Sequence, residues 1–205
     1  CMVYSTRRFK VVDFIYDFET LSKDRYHGVV VNVATLDFDE KRFVNNPYTF
    51  SELVSNCKIF KFDIMEQKEK FGRTIDPDTF AWWKSQPMAA QMQLKPSAED
   101  ISIQDLHSKL SETYDFGSFK HVWTRGNTFD PIFMDGIFDQ FGQPDIHAFW
   151  KIRDSRSWLD GMLHGTPLDN RFMPQDLDID FIHHDAAHDI SLDVMRIQTV
   201  IKALS

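Results

Sequence analysis

Asp17 and Glu19 close the apolar run Val-Val-Asp-Phe-Ile-Tyr-Asp-Phe-Glu-Thr-Leu at residues 11 to 21, where a buried strand ordinarily carries hydrocarbon. Side chains alternate along a strand, so both carboxylates leave one face of the sheet. Two anions held that close repel each other and resist desolvation unless a cation neutralises them, and hard divalent metals prefer oxygen ligands. The pair reads as half of a metal site; a solvated strand edge or a helix cap is the competing explanation.

Further carboxylates stand later in the chain. Arg125-Gly126-Asn127-Thr128-Phe129-Asp130 follows a short strand and places Asp130 at the opening of a helix. Asp130 is either a third ligand or an acid favoured by the positive end of that helix. The last cluster is His183-His184-Asp185-Ala186-Ala187-His188-Asp189, which leads into an apolar helix. Five residues on an ideal helix rotate by about 140°, so His184 shares a site with Asp189 only from a loop just before that helix. Asp185 and Asp189 form a rival pair at i,i+4 spacing, and His183 and His188 are also available. With no HExxH arrangement and no thiolate partners, carboxylate-held magnesium or manganese is favoured over histidine-held zinc.

The elements that must position these groups follow from periodicity. Residues 11 to 18 and 28 to 37 are rich in β-branched side chains and read as paired strands, with a third at 57 to 63 whose register Ile59 leaves uncertain. Helical spacing appears from Thr79 to Gln86, from 100 to 114 through Ile103, Leu106 and Leu110, from about 130 to 141, from 154 to 163 with Asp154 as cap, and from about 185 to 203. Residues 119 to 124 make a short strand, and 164 to 182 read as a loop. Three early strands suggest an antiparallel meander within one α/β domain over 11 to 205, preceded by an extension at 1 to 10.

Composition sets the outer limits. With 42% hydrophobic and 26% charged residues the chain has the balance of a soluble globular domain. No apolar stretch approaches the roughly 18 residues that cross a bilayer, and no signal-peptide pattern opens the sequence, so no membrane partner and a cytoplasmic location are expected. Cys1 and Cys57 are too few for a disulfide framework or a thiolate metal site. A net charge of −8 argues against a chain-wide electrostatic grip on nucleic acid. Acids gathered around divalent cations are locally neutralised, however, and a few placed bases suffice to hold a strand. Candidate bases cluster at Arg7, Arg8 and Lys10, at Lys68, Lys70 and Arg73, and at Lys151, Arg153 and Arg156. Nineteen phenylalanines leave room for a homodimer face.

Taken in order, Asp17-Phe18-Glu19-Thr20, then Asn127-Thr128-Phe129-Asp130, then His184 with Asp189 resemble the three-motif pattern of the DEDDh 3′→5′ exonucleases. The resemblance runs over nearly the whole chain, roughly 11 to 200. Thr79-Phe-Ala-Trp-Trp-Lys-Ser-Gln86 and Arg125-Gly-Asn-Thr-Phe-Asp130 look most like the phage exodeoxyribonuclease A branch and its mycobacterial exoribonuclease relatives. Arg125 and Gly126 stand where many members of the family have His-Asn.

The resemblance implies a ribonuclease H-like fold, a central mixed sheet with flanking helices. It implies two divalent cations, Mg2+ or Mn2+, held by Asp17, Glu19, Asp130 and Asp189, with His184 taking a proton from the attacking water. Nucleoside 5′-monophosphates would leave from a 3′ end, single-stranded DNA being favoured over RNA. A non-catalytic nucleic-acid-binding module is the remoter alternative. Thr20 and Leu21 would meet the terminal nucleotide, Leu21 as an apolar wedge or as ordinary packing after the strand. Arg125 and Asn127 are further candidates for substrate contact. Neighbours on a helix point about 100° apart, so Trp83, on the stripe of Phe80, is expected in the core and Trp82 is free to stack on a base.

Overall fold

Alternation along β1 (Val12–Thr20) divides the molecule into two layers. Phe14, Tyr16 and Phe18 point into one apolar cluster, and Ile15 points into another on the opposite face. A computed structural model describes residues 12–205. The extension at 1 to 10, with Cys1 and the bases Arg7, Arg8 and Lys10, lies outside the described residues.

The sheet is completed by β2 (Val30–Phe38), β3 (Lys58–Lys61), β4 (Phe119–Thr124) and β5 (Ile152–Asp154), in the order β3-β2-β1-β4-β5. β2 runs antiparallel to both β1 and β3, whereas β4 runs parallel to β1, and β5 to β4. Among the described residues the helices are α1 (Arg42–Asn45), α2 (Phe50–Asn56), α3 (Ile64–Glu69), α4 (Pro77–Ser85), α5 (Met88–Met92), α6 (Leu106–Thr113), α7 (Asp130–Gln140), α8 (Ser155–Met162) and α9 (Ala186–Leu204). This is a mixed α/β sheet flanked by helices.

Two helices dominate the layers. α7 lays Phe133, Met134 and Ile137 against Phe14, Phe18 and Val122. On the other face α9 presents Ile190, Val194 and Ile197, spaced four and then three residues apart, to Ile15, Ala34 and Leu36. Each such side chain contributes about 1.5–3 kcal/mol by burial, which outweighs any one intrinsic propensity. No helix among the described residues is long and apolar enough to cross a membrane.

Several boundaries differ from the sequence expectation. The helix expected over 100 to 114 begins late: Ile101 bridges to Phe62 in an extended conformation, then a 3₁₀ turn, Ile103–Asp105, leads into α6. The strand expected over 57 to 63 shortens to β3 because Cys57 ends α2 and Asp63 caps α3. Ile59 is exposed there because β3 is an edge strand. Strand β5 escaped the sequence reading altogether. α8 does carry Asp154 as its cap, the carboxylate accepting from Ser157 N at 3.0 Å.

Candidate active site

Asp17 and Glu19 emerge on the α9 face of β1, near its carboxyl end. The β1/β4 pairing stops at Ile15 and Trp123, so the strands diverge beyond it. Asp130, the first residue of α7, fills the gap: its Oδ1 accepts the Phe18 amide at 3.1 Å, replacing the lost ladder bond and tying the helix start to β1. Diverging carboxyl ends of parallel strands are where α/β sheets open a crevice for ligands.

The start of α9 supplies the other groups. Asp185 is its cap, accepting from Ala187 N and His188 N at 3.1 Å each, so Asp185 is occupied with the backbone. Asp189, one turn further, lines the crevice. His188 is buried, and its Nδ1 accepts from Ile182 N at 3.2 Å, which removes it from the competition for metal. His184 sits in the turn before the helix with φ of 61°, left-handed backbone that is uncommon for a non-glycine residue. The Gln93 amide donates to its carbonyl at 3.1 Å, and the Trp82 ring packs against its imidazole. One ligand atom each from Glu19, His184 and Asp189 lies within 4.8 Å of the others.

All four acids are electrostatically strained. Burial, then the charges of Asp130, Glu19 and Asp189, push the Asp17 carboxyl well above the usual range. Burial, then Asp189 and Asp130, do the same to Glu19. Burial raises Asp130 and Asp189 to about 7 each, although the Phe18 amide opposes the shift at Asp130. Among the described residues no lysine or arginine forms an ion pair with any of the four. Hard oxygen donors gathered without a compensating cation fit a divalent metal site. Burial and the neighbouring His183 hold the His184 imidazole below its ordinary value.

Two cavities meet at Glu19. The first, about 490 Å³, is walled by Thr20, Ser22, Thr79, Trp82, Trp83 and Phe129. The second, about 850 Å³, holds Asp17, Asp130, His184 and Asp189, and it is rimmed by Arg125, Arg156, Arg171 and Arg196. Phe18, Glu19 and Phe129 line both.

The sequence candidates separate accordingly. Trp82 is 41% exposed and faces the first cavity, while Trp83 is buried and donates its indole N–H to the Thr20 carbonyl at 2.8 Å. For Leu21, read as either a wedge or ordinary packing, the β1/β2 register shifts between Glu19 and Thr20, and beyond the shift the side chain is buried with Val29, Val31 and Trp83, as the packing alternative expects. Asn127 does not line either cavity; its Oδ1 accepts from Thr124 and its backbone N–H donates to Asp154.

Arg125 reaches the second cavity, but its guanidinium binds Asp193 at 2.8 Å and Asn170 Oδ1 at 2.9 Å. Asp193 also accepts from Arg196 at 2.9 Å and from Ser155 at 2.6 Å. Arg196 in turn holds the Phe172 carbonyl at 2.9 Å and the Arg171 carbonyl at 3.2 Å. Asp193 thus clamps the 164–182 loop, with exposed Arg171, over the site. Asp193, Arg171, Arg196 and Phe129 were missed in the sequence. The available signal was Asp193 and Arg196, charged residues three apart inside the apolar stretch of α9.

Of the remaining basic clusters, Lys70 pairs with Glu66, and buried Arg73 donates to the Gly28 carbonyl and Gln140. A second acid–histidine group, Asp13, Glu40 and His121, gathers near the start of β1. It is internally paired: Trp123 donates to Asp13 at 3.2 Å and Lys120 binds Glu40.

Comparison with known proteins converges on one group. The model of the 3′-5′ exoribonuclease Rv2179c-like domain matches residues 12–201. An exodeoxyribonuclease of Enterobacteria phage T4 is 30% identical, the alignment covering 93% of this chain and 89% of that protein. Among solved structures, E. coli exonuclease I with a 5cy-dA13 oligonucleotide superposes with a TM-score of 0.61 at 13% identity, covering 95% of this chain and 41% of that one. The zinc-bound E. coli exonuclease I complex with single-stranded DNA gives 0.56 at 14% identity, covering 94% and 40%. The chain spans about two fifths of the length of those exonuclease I structures, and the likeness to them is one of fold.

Proposed function

The chain belongs to the Rv2179c-like 3′-5′ exoribonuclease domain family, and on that premise we propose a division of labour within its site. It is a 3′→5′ exonuclease of the DEDDh type on a ribonuclease H-like fold, a hydrolase whose substrate is nucleic acid.

Asp17, Glu19, Asp130 and Asp189 would hold two divalent cations, Mg2+ or Mn2+. When bound, such ions stabilise the attacking and leaving oxygens of an in-line displacement at phosphorus. His184 accepts the proton of the attacking water, a task suited to an imidazole kept neutral by its surroundings. The single observation that carries this reading is the convergence of Glu19, His184 and Asp189 within 4.8 Å beside Asp130, which is fixed to β1.

The two cavities support a path for the strand. A 3′-terminal nucleoside in the first cavity, against Trp82 and the Thr20 wall, sets its phosphate beside Glu19, where the cavities join. The strand continues into the second cavity, where exposed Arg156 and Arg171 face the phosphates. One nucleoside beyond the cut gives a 5′-mononucleotide as product. We assign single-stranded DNA ahead of RNA, supported by the alignment over 93% of the chain with a protein named exodeoxyribonuclease.

A time course on a 5′-labelled oligonucleotide tests this. Products shortening stepwise from the 3′ end, abolished by chelator and by Asp17→Ala or His184→Ala, are expected. Activity surviving in Asp17→Ala protein defeats the residue assignment, and cleavage of a circular single strand defeats the exonuclease assignment. Matched DNA and RNA strands measured side by side decide the sugar.

A further inference from the structure

Phe149 and Trp150 are 79% and 67% exposed, in a chain that buries Phe14, Phe18, Phe38, Phe43 and Phe50 almost completely. Their rings stand edge to face, centroids 5.1 Å apart. They lie on a 3₁₀ turn, Phe149–Lys151, that feeds directly into edge strand β5. Arg153 fixes that turn, its guanidinium donating to the Trp150 and Ile152 carbonyls at 2.8 Å each. Adjacent aromatic rings left in water are unfavourable unless something covers them.

The rest of the stretch says what covers them. Lys151, Arg153 and Arg156 follow within six residues of Trp150. The one acid between them, Asp154, is bonded to the backbone amides of Ser157 and Asn127. β5 runs parallel to β4, so its carboxyl end points the same way as the strand that leads to Asp130. There Arg156 lines the second cavity and donates to the Arg125 carbonyl at 3.3 Å. Exposed rings and the catalytic cavity therefore occupy the two ends of one short strand. Cations of a single sign connect them, on a protein whose net charge is −8. Aromatic faces interleaved with cations are the footprint of single-stranded nucleic acid, with bases stacking on rings and phosphates following the charges.

We propose that Phe149 and Trp150 form a stacking platform for the 5′-side bases of the substrate strand, with Lys151, Arg153 and Arg156 guiding its backbone into the cavity. This rests on the exonuclease reading and adds a binding site outside the reaction centre.

The test compares wild type with a Phe149→Ala/Trp150→Ala variant, both residues lying on the surface and outside the catalytic machinery. KM is measured on single-stranded DNA from a dinucleotide up to about 16 nucleotides. The wild type is expected to show KM falling with length, and the variant to lose that advantage by roughly tenfold on the longer strands. Dinucleotide turnover stays unchanged, and Trp150→Phe restores most of the effect. Fluorescence anisotropy of the same labelled strands in chelator reads the platform without turnover. Wild type that binds longer strands more tightly but hydrolyses none sinks the exonuclease reading and leaves the platform standing. Unaltered length dependence in the double variant overturns the platform. So does a dimer in sedimentation that the double variant dissolves without changing length dependence, which assigns the rings to a second copy of the chain.

Discussion

The indole of Trp82 stands edge-on to the imidazole of His184, ring centroids 4.7 Å apart and planes at 81°. His184 occupies left-handed backbone at φ 61°, so its ring is held by packing rather than by a regular element. The same indole faces the cavity proposed for the terminal nucleoside, which would couple substrate contact to the placement of the proposed base.

Trp82→Ala is therefore expected to lower kcat as well as raise KM, each by roughly tenfold, whereas a residue that only stacks would change KM alone. Trp82→Phe retains an edge against His184 and recovers most of kcat. Steady-state kinetics on a short DNA strand separates the two, and an unchanged kcat in Trp82→Ala assigns the residue to binding only.

For His184→Ala the loss expected of a general base is about 10²–10⁴ in kcat. Strand binding in chelator should be unaffected. Burial and His183 lower the imidazole pKa, so the acidic limb of the wild-type rate profile should fall below the ordinary histidine value of about 6.5. Activity is lost as pH drops through that limb. The limb should vanish from the residual activity of His184→Ala, and an identical limb in both proteins points to another titrating group.

Leu21→Ala separates packing from substrate contact. The side chain is 1% exposed and packs with Trp83, so its removal should cost about 2–5 kcal/mol of stability, read by thermal or denaturant unfolding. At a temperature where the variant is folded, kcat/KM should lie within a few-fold of wild type. A large loss of kcat/KM in fully folded protein reinstates the wedge.

What the sequence revealed were the features encoded locally. The two-residue alternation of β1 placed Asp17 and Glu19, and the spacing of Ile190, Val194 and Ile197 with Asp185 in front gave α9. The cap at Asp154 gave α8. Features set by distant partners stayed hidden. Arg125 reads as a free cation until Asp193, 68 residues away, is seen to hold it. Leu21 looks like the next residue on the acidic face until the register shift between Glu19 and Thr20 is known. The three residues of β5 acquire strand geometry only by lying beside β4, and α2 and α3 are too short to show a periodic stripe.

Asp189 and Asp193 lie one turn apart on α9, and their environments predict opposite effects on stability. Asp193 joins Arg125, Arg196 and Ser155, so Asp193→Ala strands two partly buried guanidinium groups. Breaking such a buried network costs about 3–5 kcal/mol, or roughly 6–20 °C in Tm for a domain of this size. Asp189 instead sits among other acids, with its carboxyl raised to about 7. A carboxyl whose folded-state pKa exceeds its unfolded value, near 3.9, binds more protons in the native state. The stability this contributes is complete below about pH 4 and is lost as pH rises through about 7. In chelator, Asp189→Asn should therefore be more stable than wild type, with a Tm difference that grows as pH rises from 5 toward 8, while Asp193→Ala is less stable throughout. Saturating Mg2+ should reverse the order for Asp189, since a ligand at about 100 times its Kd stabilises the protein that binds it by about 2.7 kcal/mol. Differential scanning fluorimetry across pH, with and without Mg2+, reads all three proteins. A lower Tm for metal-free Asp189→Asn at every pH would mean that the carboxylate is compensated within the chain and that the cation is not what it awaits.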